Sequence, residues 1–188
     1  MNNTQKRIHE SSRFAIYFAP EISSALHMLG SQWIGRDANS GKLIKQPKIP
    51  DITSEYLYKI TKNPRLYGFH ATLKAPFQLN IRFTLNDLQD HIQRFCASIQ
   101  PFNMYLKIKQ ADQFLALVMD PREKKMVKLA SNLVKQADHF RAPIQQPMID
   151  KRRLSVLTRS QDSNLLKWGY PYVFSDFRFH MTLTEKIT

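Results

Sequence analysis

Two short stretches of this sequence carry the same polar pair in an apolar setting. Residues 67–77 read YGFHATLKAPF and residues 177–187 read FRFHMTLTEKI, so His70 with Thr72 and His180 with Thr182 each stand in the context Phe-His-x-Thr-Leu. One His-x-Thr means little. At the chain's own usage of Phe, Thr and Leu, a match at all three neighbours has a chance of about three in ten thousand per histidine pair, and six histidines make fifteen pairs. A recurrence in that context points to a shared role.

The residue types suit phosphoryl chemistry. Cleaving a phosphodiester needs one group to take a proton from the attacking oxygen and another to give one to the leaving oxygen, and an imidazole titrating near neutrality does either. Threonine hydroxyls donate to non-bridging phosphate oxygens, and Arg178 or Lys74 can offset the charge that builds in the transition state. The scheme requires neither metal nor cofactor, and none is expected: HExxH is absent and no carboxylates and histidines cluster at ligand spacing.

Such a pair works only if its backbone presents both side chains together. Strand alternation puts Gly68, His70, Thr72 and Lys74 on one face and Phe69, Ala71 and Leu73 on the other. The same parity sets Asp176, Arg178, His180 and Thr182 opposite Phe177, Phe179, Met181 and Leu183. Each strand is then polar in front and apolar behind, and Gly68 leaves room where a bulky side chain would stand.

The flanking elements read as strands and amphipathic helices. Arg13 to Phe18 alternates, with Arg13 and Tyr17 on its polar face, either bordering a cleft or serving the surface. Ile22 to Ile34 has Ile22, Leu26, Leu29 and Trp33 at helical spacing. Gly35 to Pro50 is a polar connection, in which Arg36 and Asp37 can serve the site or Asp37 can cap a turn. A helix over about Thr53 to Thr61 is closed by Asn63-Pro64. Thr84 and Asp87 make a loose capping box for a helix over Leu85 to Ile99. Asn103 to Lys109 and Phe114 to Met119 read as a hairpin, and Asp120-Pro121 as the start of a helix running to about His139. Arg141 to Arg153 is broken by prolines. A helix over about Ser160 to Trp168 ends at Gly169. Trp168, Tyr170 and Tyr172 either stack on a base or sugar ring or belong to the core. His9, His27, His91 and His139 have no matched partner and read as surface residues.

Composition bounds the rest. With 188 residues and 43% hydrophobic, the chain can bury one domain or two small lobes sharing a core. No apolar run reaches a membrane span and the start has no signal-peptide core, so a cytoplasmic protein without membrane contact is expected. The lone Cys96 permits no internal disulfide and is assigned to packing. A net charge of +13 favours anionic partners, whether a phosphorylated small molecule, RNA or an acidic surface. Oligomeric state cannot be read from it.

At the paired motifs a resemblance becomes visible. His-x-Thr strands about a hundred residues apart look like the two-histidine (2H) phosphoesterase superfamily. RFAIYFAP, WIGRDANSG, NPRLYGFHATLKAPF and LLKWGYPYVFSDFRFHMTL resemble its branch associated with bacterial phosphonate-utilisation genes, a family of uncharacterised function. The resemblance covers about Arg13 to Thr184. It implies an α+β fold with two pseudo-symmetric lobes of antiparallel sheet and outer helices around a central cleft. After a disordered lead over residues 1–12, residues 13–188 would form this single bilobal domain. Relatives continue beyond the second motif, so the second half is expected to be incomplete.

The resemblance also implies roles. His70 and Thr72 form one half of a catalytic site and His180 and Thr182 the other, with the histidines as general base and general acid in either order. From the residues themselves, Arg178, which could instead pair with Asp176, and Lys74, Tyr17, Arg13 and Tyr172 are the candidate substrate contacts. The implied activity is metal-independent hydrolysis of a cyclic phosphate on a small sugar or nucleotide linked to phosphonate metabolism. The alternatives are an RNA-end 2′,3′-cyclic or 2′,5′ phosphodiesterase and a basic, non-catalytic protein that binds RNA or a phosphorylated ligand.

Overall fold

Five strands and seven α-helices form among the described residues, which in this computed structural model are 12–111 and 113–187. Most of the expected disordered lead, residues 1–11, lies outside them. Strand β1 (Arg13–Phe18) is followed by helices α1 (Ala25–Ile34), α2 (Ser54–Ile60) and α3 (Lys62–Tyr67), then by β2 (Ala71–Gln78) and α4 (Leu85–Ala97). The hairpin of β3 (Leu106–Ala111) and β4 (Phe114–Met119) comes next. Helices α5 (Lys124–Gln136), α6 (Gln146–Arg153) and α7 (Arg159–Trp168) precede the short strand β5 (His180–Thr182). The sheet order is β1-β2-β5-β4-β3, so β5 is the middle strand. It runs antiparallel to both β2 and β4. This is the expected mixed α+β class. No helix among the described residues is long and apolar enough to cross a membrane.

Two compact units divide the chain, and neither is a half of the sequence. One comprises the chain up to Ile16 with Lys74–Phe102 and Val127–Phe177; the other comprises Tyr17–Leu73, Asn103–Met126 and Arg178–Thr188. Both His-x-Thr motifs belong to the second unit rather than one to each.

In the first unit the core is built on Phe77, Leu88, Ala137 and Phe140, with Phe14, Ile16, Phe83 and Ile92 packed around them. Helix α4 starts as its sequence requires: the Thr84 hydroxyl accepts the Asp87 N–H while the Asp87 carboxylate accepts the Thr84 N–H. Cys96 lies on its exposed side, which corrects the packing role assigned to it. Helix α7 begins one residue earlier than expected because Thr158 and Gln161 form a second capping box, and Gly169 ends it in the left-handed conformation.

The second unit departs from expectation at three helix boundaries. Helix α1 starts at Ala25, where the Ser24 hydroxyl accepts the His27 N–H, and its buried face is His27, Gly30, Ser31 and Ile34. Ile22 and Leu29, expected inward, are 57% and 66% exposed. The reason is Phe69: a Cβ added at Gly30 would stand 2.2 Å from its ring, so the face without side-chain bulk is the one that packs. His27 is therefore buried, not a surface residue, and its Nε2 lies 3.3 Å from the Asp37 carboxylate. Asn63-Pro64 does not end the helical region but sits inside α3, where proline in the first turn lacks only an N–H that has no helical partner anyway. Helix α5 begins at Lys124 and not at Asp120-Pro121. Lys107 and Lys109 hold the Asp120 carboxylate at 3.3 and 2.8 Å, and Glu123 instead accepts the Lys125 N–H.

Candidate active site

The site is built on one strand pairing. Ala71 stands opposite Met181 in antiparallel register. Because antiparallel positions step in opposite directions, this register sets His70 across from Thr182 and Thr72 across from His180. Each histidine thus neighbours the threonine of the other motif, all four on one face. Behind them Phe69, Ala71, Phe179 and Met181 are buried, as strand alternation requires. The apolar residues tie the two motifs to the core and leave the polar ones no choice of side.

His70 is fixed from two directions. Its ring Nδ1 lies 2.8 Å from the Gly68 carbonyl, which can only accept, so Nδ1 carries the hydrogen and Nε2 is left for chemistry. Gly68 makes this possible with φ 80° and ψ 175°, a region open essentially to glycine alone. A Cβ there would also stand 2.3 Å from the Ala38 methyl, so the glycine admits the 36–43 loop rather than a ligand. Tyr17 stacks on the imidazole with centroids 3.8 Å apart. Burial holds the His70 pKa below its ordinary value of 6.5; the Gly68 hydrogen bond opposes this, and the nearby His180 adds to the lowering. Burial, with Tyr67 nearby, raises the Tyr17 phenol and keeps it neutral.

His180 repeats the arrangement in a wetter setting. Its Nδ1 donates to the Arg178 carbonyl at 2.9 Å, two residues back, through a solvent-exposed bond where that of His70 is part-buried. The Phe114 ring lies 6.1 Å from the imidazole. Both motifs therefore fix the same tautomer by the same local turn, and both leave Nε2 unengaged by it.

The remaining candidate contacts fall in different places. Arg178 is exposed and contributes its carbonyl to His180. Lys74, Arg13 and Tyr172 belong to the first unit. There Lys74 is 4% exposed and pairs with Asp138 at 3.3 Å. Arg13 donates to the Pro76 carbonyl at 2.7 Å, and Tyr172 meets the edge of Tyr170. The stacking of Tyr17 on His70 leaves no pattern in the sequence, whereas the turn cap open to Asp37 is present in the polar connection. Arg36 donates to the Leu66 carbonyl at 2.7 Å, and Asp37 accepts from the Asn39 and Ser40 backbone, closing the turn that carries Ala38 under Gly68. The WIGRDANSG stretch was the available signal for that prop. Among the described residues no three His, Cys, Asp or Glu side chains gather as metal ligands.

Comparison with known proteins places the chain in a family. The model of a family described as a protein of unknown function, DUF1045, matches residues 72–188, a span containing the second motif entire. The chain belongs to the DUF1045 family. Two similar proteins share the name ribose 1,5-bisphosphate phosphokinase PhnN. That of Janthinobacterium sp. (strain Marseille) is 37% identical over 177 residues, covering 94% of this chain and 39% of that protein. That of Laribacter hongkongensis (strain HLHK9) is 29% identical over 175 residues, covering 93% and 40%. This DUF1045 chain thus spans about two fifths of the length of the curated relatives it matches. No solved structure matches it.

Proposed function

We propose that this DUF1045 protein is a two-histidine phosphodiesterase that opens a cyclic phosphate on a small sugar or nucleotide, in the manner of the 2H superfamily its motifs resemble. The interlocked pairing carries the reading: two imidazoles of equal tautomer, each beside a threonine, on one face of adjacent strands. A phosphate seated there meets two proton-transfer groups and two hydroxyl donors.

The enclosed histidine is the base. His70, kept neutral by burial, takes a proton at Nε2 from water as the water oxygen bonds to phosphorus. His180, in the more solvated position, gives its Nε2 proton to the ring oxygen as the phosphorus–oxygen bond breaks. The product is an open phosphomonoester, and solvent returns both rings to their starting forms. Thr72 and Thr182 donate to the non-bridging oxygens, with charge-assisted bonds that strengthen as negative charge builds.

Two comparisons favour a sugar substrate in phosphonate breakdown. The resemblance is to a branch associated with that metabolism, and the curated relatives are named for ribose 1,5-bisphosphate. Their phosphokinase name has no counterpart motif in this sequence: the Gly41-Lys42 pair is followed by Leu43, where a phosphate loop needs Ser or Thr. The protein would work in the cytoplasm on a dissolved anion.

The test is release of ring-opened product from a panel of cyclic phosphates, in chelator, by the protein and by His70→Ala and His180→Ala. Each variant is expected to lose about 10²- to 10⁴-fold in kcat. Turnover that survives either substitution, or that chelator abolishes and added metal restores, rejects the reading.

A further inference from the structure

The face that carries both histidines continues across the sheet to two lysines that the mechanism leaves unused. His180 pairs with Val118 and Thr182 with Ala116 on β4. Val118 in turn pairs with Lys107, and Ala116 with Lys109, on β3. Directly opposed residues in a sheet share a face, so Lys107 and Lys109 project on the side of the histidines, two strands away. At about 4.8 Å between neighbouring strands, the lysine backbones stand about 10 Å from that of β5, and the residues between are the small Val118 and Ala116. Both lysine side chains are more than half exposed, at 64% and 52%.

Their charge is only partly spent. Lys107 and Lys109 converge on one carboxylate, Asp120, at 3.3 and 2.8 Å, and Asp120 is held ionised, its pKa lowered by those two hydrogen bonds. Two ammonium groups on one carboxylate leave a net single positive charge. The cluster is pre-positioned, since one carboxylate holds two flexible cations at a set place on this face. A net charge of one suits one further phosphate rather than a nucleic-acid backbone, which needs a row of cations along its length.

We infer that Lys107 and Lys109 form a second anion subsite, so that the preferred substrate carries an additional phosphate on the far side of the sugar from its cyclic phosphate. This rests on the two-histidine reading for the position of the cyclic phosphate. Both lysines select and hold the substrate and take no part in proton transfer. They are specificity residues, and their loss belongs in KM.

Two probes that differ only in the second phosphate test it: adenosine 2′,3′-cyclic phosphate and the same compound with a 5′-phosphate. Binding is measured by calorimetry on the whole chain, alongside turnover. The 5′-phosphorylated probe is expected to bind about tenfold more tightly, an advantage lost in the Lys107→Gln/Lys109→Gln protein while the affinity for the plain probe is unchanged. Asp120→Asn should act in the opposite sense, freeing both cations and widening the gap between probes, an outcome a misfolded variant cannot mimic. Equal binding of the two probes, binding of neither, or an advantage that persists without the lysines overturns the inference. So does affinity for RNA ending in a cyclic phosphate that grows with strand length and depends on these lysines. Turnover is the separate readout. If the 5′-phosphate advantage behaves as expected but His70 and His180 are not needed for hydrolysis, the subsite stands and the catalytic reading falls.

Discussion

The Tyr17 ring lies over the His70 imidazole with centroids 3.8 Å apart and planes inclined by 26°. One strand thus supplies the wall against which the neighbouring motif's imidazole is pressed. The contact withdraws one face of the imidazole from water and fixes the plane in which Nε2 points. Both effects come from the ring and not from its hydroxyl.

Tyr17→Phe should therefore leave kcat within about twofold, whereas Tyr17→Ala should lower it roughly three- to tenfold, the worth of an aromatic stack. KM should move less than kcat if, as proposed, the ring positions a base rather than a substrate. Steady-state kinetics of the pair decides it, and equal losses in both variants would assign the effect to the hydroxyl.

The pH dependence follows from the lowered His70 pKa. As pH drops below 6.5 the unfolded chain takes up a proton at this position before the folded one does. The unfolded state then holds more protons, so stability present above 6.5 declines as pH falls toward the folded-state pKa and levels off below it. Activity should share that lower limit, with the acidic limb of kcat/KM below 6.5. Following the His70 ring proton by NMR checks both, and a midpoint at or above 6.5 would contradict the assignment of His70 as base.

Gly68→Ala tests the turn that holds this histidine. The position combines φ 80° and ψ 175° with the Ala38 methyl where a Cβ would go. Backbone strain alone costs about 1–3 kcal/mol, so a lower Tm and a loss of turnover are expected together. Adding Ala38→Gly should recover most of the steric part, since only the Ala38 Cα at 3.0 Å remains close, and leave the backbone part. Complete recovery would show that the unusual dihedrals are not demanded by the site.

Lys74 and Asp138 separate support from catalysis. Asp138 receives Lys74 at 3.3 Å and two nitrogens of Arg141 at 2.9 and 3.1 Å. Asp138→Ala strands a buried ammonium and should cost about 3–5 kcal/mol in denaturant unfolding. Lys74→Met removes the buried charge itself and should cost much less. If Lys74→Met instead spares stability and raises KM for a cyclic phosphate, this lysine is a substrate group after all.

Much of the site was legible because strand alternation is strict. Phe177, Phe179, Met181 and Leu183 are all buried, as reading every second residue requires. The Thr84–Asp87 box was legible for a similar reason, since a cap needs only its own turn. What failed depended on partners distant in the chain. The inward face of α1 is set by Phe69 against Gly30, the start of α5 by two lysines on Asp120, and the burial of Lys74 by Asp138. None of these contacts leaves a periodicity. The occurrence of the two motifs as neighbours could be suspected, but the register of Ala71 against Met181 could not.

The middle strand of the sheet is drawn from residues 180–182, between strands made long before it. A ribosome therefore delivers β2 and the β3–β4 hairpin while the slot between β2 and β4 stands empty, each offering an unpaired edge to whatever else is nearby. The sheet closes only through contacts of high sequence separation, the kind that slows folding. The same late event assembles the histidine pair. Nascent chains stalled before residue 180 should hold no site at all, and a chaperone that shields strand edges would find its target in that interval.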